Sequence, residues 1–260
     1  MHHLRQTTLD LLDLVQTVSG YPAVVSPNPG LETTATLRMA RGSVAVHSIE
    51  YNPDLVAEPD YYVAVQCGQI LRFFAPHPAE RMDLAFSAHG LAAVNELVLR
   101  DAATRLPGVT TDAAQGFASR IYNGLMQQLR SMPVELRVEE WIREAYPEFV
   151  EVQRAAVLRQ LEENARSLSP SVRSMSPPRV FKATVAMNAA AAQFWAGTYL
   201  MPDLVKPYAR EGLAGDGANL LALWRKVPPE ATHDREIIDD WAHSLKVGGW
   251  YDWVPYDAPA

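Results

Sequence analysis

Two glutamines, a cysteine and an arginine fall at helical spacing in YYVAVQCGQILRFF, residues Tyr61 to Phe74. Gln66 and Gln69 lie about one turn apart, and Arg72 follows Gln69 by three residues on the same side. Amide side chains donate and accept hydrogen bonds but take no proton near pH 7. These glutamines can therefore bond to a ligand or to each other, and cannot act as a general base. Cys67 has no histidine near it in sequence and reads as a small buried hydrophobe rather than a nucleophile. Further on, VELRVEEWIREAYPEF puts Glu135 and Glu139 one turn apart on one helix face. Glu140, Glu144 and Glu148 read as the solvated side of that helix, with Arg137 and Arg143 as local ion partners.

The first stretch also has the frame of a metal-binding helix. Zinc peptidases with H-E-x-x-H use two histidines four residues apart as ligands, with the glutamate between them as base on the zinc-bound water. Here the same window reads Val65-Gln66-Cys67-Gly68-Gln69, between the flanks YYVAV and GQILRFF. Those flanks look like the surroundings of such a motif, as in YLIAHECGHILRF. On them the chain resembles uncharacterised bacterial and archaeal zincin-like (HExxH) metallopeptidases of the gluzincin kind. There the third ligand is a glutamate on a later helix. The resemblance extends to QQLRSMPVELRVEEWIREAYPEFVEVQ, where Glu139 takes that ligand's place, and to the closing IDDWAHSLKVGGWYDW.

The motif itself is degenerate. Valine has no donor atom, so Val65 cannot bind a metal; Gln66 cannot be the base, and the amide of Gln69 is a poor zinc ligand beside imidazole. The resemblance makes Val65, Gln66, Gln69 and Glu139 the former metal and base positions and Arg72 and Glu135 candidate cleft residues, with no catalytic residue assigned. Gln66 and Gln69 are expected to bond across the old site. A buried Glu139 without its cation needs a donor, for which Arg72 is the first candidate.

Other constellations carry less. His77 and His89 are twelve residues apart across a proline-rich break, a spacing without a metal signature, and His47 stands alone; all three read as ordinary histidines, and His2 and His3 are assigned no role. EGLAGDGANLL, Glu211 to Leu221, has neither the preceding strand nor the lysine of a phosphate loop and reads as a loop entering a helix.

The elements that must position these residues follow from periodicity and punctuation. Thr7 and Thr8 open a helix that Gly20 and Pro22 stop, and TATLRMARGSVAVHSIEY alternates as two strands turning at Arg41-Gly42. Pro59-Asp60 opens the quoted helix. Helices are predicted over Leu91–Leu106 and Ala113–Leu129, separated by Pro107-Gly108, then from Pro133, along VEVQRAAVLRQLEENARSL, over Lys182–Leu200, near Leu220 and over Asp234–Lys246. The tail WYDWVPY reads as packed aromatics or as an interface. The predicted fold is α+β and mainly helical, a short sheet with a zincin-like core followed by helices. Residues 1–168 are expected to form the zincin-like domain, with the active-site helix at 59–74 and the glutamate helix at 133–146. Residues 169–179 read as a Ser/Pro-rich linker, and 180–260 as a helical part packed on the first.

A net charge of −7 and a pI near 5.5 argue against a nucleic-acid partner. The most apolar long segment, Val180 to Met201, holds Lys182, Asn188 and Gln193, so no membrane span is expected. One cysteine suits a reducing, cytoplasmic setting. The expected function is a non-catalytic zincin-like pseudopeptidase, without zinc or another cofactor, that binds a peptide or protein through the former cleft. The alternatives are a metallopeptidase with a displaced metal site and a helical scaffold subunit.

Overall fold

In a computed structural model the protein is α+β and mainly helical, and the structure describes residues 4–105 and 110–257. His2, His3 and the Pro107-Gly108 break lie outside the described residues. The elements run α1 (Gln6–Ser19), β1 (Ala23–Pro27), β2 (Ala35–Arg38), β3 (His47–Tyr51), α2 (Pro59–Phe74), β4 (Met82–Phe86), α3 (Ala88–Arg105), α4 (Thr111–Ala145), α5 (Val150–Ala165), α6 (Pro170–Met175), α7 (Pro178–Thr198), α8 (Lys206–Arg210), α9 (Ala214–Lys226), α10 (Asp234–Ser244) and β5 (Tyr251–Pro255). No helix among the described residues is long and apolar enough to cross a membrane.

The chain forms two compact units that are not consecutive in sequence. The first takes residues 1–83, 135–156 and 254–260, and the second takes 84–134 and 157–253. The segment 169–179 falls inside the second unit, where its prolines open α6 and α7 instead of marking a boundary.

In the first unit, β1, β3 and β2 form a sheet in that order, with β1 parallel and β2 antiparallel to β3. The expected turn is present: Arg41 and Val44 exchange backbone bonds in both directions, and Gly42 supplies the φ of +58°. Pairing in register sets Leu37 against Ile49, and the odd positions of β3, His47, Ile49 and Tyr51, are buried. Leu11 and Val15 of α1, Ile49, and Val63, Ala64, Cys67, Ile70 and Phe74 of α2 make one apolar core with Val138 and Ile142 of α4. Gly20 ends α1 in the left-handed conformation, with its N–H on Gln16 O.

The second unit is centred on α7, whose alanines are buried almost throughout. Gly217 of α9 meets it so closely that a Cβ would stand 2.6 Å from the Ala189 side chain and 2.8 Å from Ala190 N. Two of the three glycines of EGLAGDGANLL thus serve helix packing, at Gly217, and a turn, at Gly212 with φ +72°. Trp250 and Tyr251 are buried, and the carbonyl of Trp250 accepts the Tyr122 hydroxyl at 2.6 Å.

Three differences from the sequence-based elements have physical causes. α4 runs unbroken through Pro133, where two helices were expected. The proline removes only one backbone donor and is buried, and its own carbonyl accepts the Trp224 indole at 2.9 Å. β1 was missed because its five residues end in Ser26-Pro27 and alternate poorly. β4 and β5 form a two-stranded sheet between segments far apart in the chain, which local pattern does not reveal.

Candidate functional site

Residues 61–74 and 135–146, both in the first unit, pack against each other. The decisive position is Gly68, where a Cβ would lie 2.5 Å from Val138 Cγ1 and 3.2 Å from the Trp141 ring. Only a residue without a side chain lets the Val138 and Trp141 side chains lie this close to the α2 backbone. This approach, with Tyr61 reaching across from the N-terminal end of α2, brings the Glu139 carboxyl beside the helix that carries Val65.

Glu139 is 5% exposed. The Tyr61 hydroxyl donates to Oε1 at 2.6 Å, and Gln153 Nε2 donates to Oε2 at 2.6 Å and to the Glu139 carbonyl at 2.8 Å. Tyr61 and Gln153 are themselves 3% and 0% exposed. Burial pushes the carboxyl up to about 7, the two donors pull it back, and neighbouring Glu135 raises it again. Burial, with Glu139 beside it, also raises the Tyr61 phenol. Gln153 Oε1 is left as a buried acceptor with no donor.

The sequence-predicted residues divide. Val65 is buried, one turn from Tyr61 on the same face, and Gln66, Gln69, Arg72 and Glu135 are half-buried. The donors to Glu139 are Tyr61 and Gln153, not Arg72: eleven residues along a helix put Arg72 roughly 16 Å from Tyr61 in axial rise. Nor do Gln66 and Gln69 provide the bonds across Glu139. Glu144 and Glu148 are exposed as expected, but Arg137 is buried, 7% exposed, instead of lying on the solvated face. Gln153 was legible in principle, because it sits at four-residue spacings between Phe149, just before α5, and Val157 within it, in an otherwise apolar, buried stripe. A glutamine in such a place needs a partner.

Zinc does not fit these residues. Val65 offers no donor atom, the two glutamines offer neutral amides, and each carboxyl oxygen of Glu139 already accepts a short hydrogen bond. Among the described residues, no group of three or more His, Cys, Asp or Glu is placed to hold a metal ion.

A buried serine–histidine contact lies nearby in the same unit and is structural. His47 is 0% exposed; its Nε2 is 3.0 Å from Ser19 Oγ, and its Nδ1 accepts the Ala40 N–H at 3.1 Å. A neutral ring that accepts at Nδ1 must carry its proton on Nε2, so His47 donates to Ser19 and cannot take its proton. Burial lowers the His47 pKa to about 4, which keeps it in that form. His77 and His89 are both exposed, and His77 Nδ1 accepts the Ala79 N–H at 3.3 Å to cap a short turn. Cys67 is 0% exposed and burial raises its thiol to about 12, so it holds little thiolate.

No family model matches the chain, and no curated protein and no solved structure matches it.

Proposed function

We propose that the protein is a non-catalytic, zincin-like pseudopeptidase that binds a peptide or protein segment. The observation that carries the reading is the pair of hydrogen bonds on Glu139. The carboxyl at the place the resemblance gives to the third zinc ligand is held by Tyr61 and Gln153, and Val65 stands in the sequence where that resemblance would need a histidine. A polar cluster closed in this way keeps the helix–helix geometry without metal chemistry. The binding part is supported by β2, which ends the strand order next to the Arg41-Gly42 turn and so offers an edge for strand addition.

Native mass spectrometry and elemental analysis of untagged protein, purified without chelator and then incubated with zinc, test the reading. The expected result is no stoichiometric metal, together with no hydrolysis of unstructured peptides. One zinc per chain that is lost in Glu139→Gln would sink it.

A further inference from the structure

The outer side of the Arg41-Gly42 turn is covered by a segment of the same chain. Tyr256 and Asp257 belong to the first unit and lie across it. The Tyr256 hydroxyl donates to Ala40 O at 2.6 Å, its N–H donates to Arg81 O at 2.9 Å, and the Gly42 N–H donates to Asp257 O at 3.0 Å. The Tyr256 ring meets Phe73 edge-on at 4.7 Å and Phe74 at 5.8 Å, and the Arg41 guanidinium stands 5.3 Å over it. The floor of this notch is rigid: Arg81 donates to Phe74 O at 2.8 Å and to Pro76 O at 3.0 Å, and stacks on the Phe74 ring at 4.8 Å.

These contacts are those of a bound peptide. Two main-chain bonds fix an extended backbone, one aromatic side chain fills a notch, and its polar tip finds a carbonyl. Tyr256 is only half-buried, Asp257 is exposed, and the Arg41 side chain is exposed. The covering segment is thus held by one half-buried aromatic that packs on the core and by an exposed neighbour, the character of an element that opens locally.

We propose that Tyr256 and Asp257 occupy in cis a recognition site for an extended partner segment that presents a tyrosine, and act as a displaceable strap over it. The partner's tyrosine takes the notch on Phe73 and Phe74 with its hydroxyl on Ala40 O, and the carbonyl of its next residue takes the Gly42 N–H. This rests on the reading of the protein as a peptide-binding module and adds the partner's chemistry and its regulation.

The probe is a fluorescently labelled peptide with the sequence DWVPYDA of residues 252–258, titrated into the full-length chain and into full-length Tyr256→Ala. Binding to the variant is expected to be tighter by about tenfold or more, since loss of the strap's own bonds removes the competitor. The Gly42 amide resonance, shifted in the variant, should return toward its original position as the probe binds. A probe with alanine in place of its tyrosine should not do this. If Tyr256→Ala does not melt cooperatively, Tyr256→Phe keeps the ring and loses the bond to Ala40, and should show the same order with a smaller factor. Equal binding to the unaltered chain and the variants, an unmoved Gly42 amide, or indifference to the probe's tyrosine would overturn the proposal. The zinc measurement reports separately on the non-catalytic reading, so each can fail without the other.

Discussion

Burial acts on Glu139 and His47 in opposite senses. The Glu139 carboxyl rises from 4.5 to about 7, so between those values the folded chain keeps a proton that the unfolded chain has released. Its contribution to stability is complete below 4.5 and is lost as pH rises through about 7. His47 falls from 6.5 to about 4, so its contribution is complete above 6.5 and is lost as pH falls through about 4. The two slopes oppose each other where the windows overlap, and the unaltered protein should show a flattened pH profile there. Glu139→Gln removes one slope. The urea-unfolding free energy of wild type minus that of the variant should decline with rising pH across the Glu139 window by on the order of 3 kcal/mol; a difference independent of pH would refute the buried, titrating carboxyl. At this scale the sequence pointed to Glu139, and to Val65, Gln66 and Gln69 as side chains that offer neither a strong zinc ligand nor a base. It did not reveal the partners, because a tyrosine and a glutamine on two other helices become neighbours only through the packing of α2, α4 and α5.

Helix packing leaves clear marks on the glycines. Gly68→Ala would force Val138 and Trp141 apart and should cost about 1–3 kcal/mol in denaturant unfolding, as an overpacked contact does. Gly124, also helical, has nothing within 4 Å of an added Cβ, and Gly124→Ala should stabilise by about 0.5–1 kcal/mol. If both substitutions gain stability, the α2–α4 approach is not as close as described. The end of α7 gives a second contrast. Met201 N bonds to Ala196 O, closing the helix around Leu200, which has φ +56° and is 87% exposed. Leu200→Gly should raise stability by about 1 kcal/mol, since the left-handed position favours glycine and little packing is lost. Elements with strong local period, α1, α2, α5 and α10, were legible in the sequence. The elements that depend on distant partners, β1, β4 and β5, were not, and a buried proline in α4 imitated a helix start.

For the whole chain, the pattern of elements indicated a mixed, mainly helical protein and the composition a substantial core, and that is the structure. The order of segments was not legible, because each compact unit is assembled from stretches separated in sequence. Fragments 1–168 and 180–260, made separately, should therefore lack cooperative thermal unfolding and dispersed amide resonances; an independently folded 1–168 would refute the interleaved division. The single cysteine adds a further consequence. Cys67 is sealed in the core of α2 with a thiol pushed up to about 12, so a thiol reagent cannot modify it while that helix is docked. Each modification event then records one departure of α2 from its core. The chain carries a built-in clock for the opening of its first unit, and labelling rates read against denaturant would give the free energy of that opening without adding any probe.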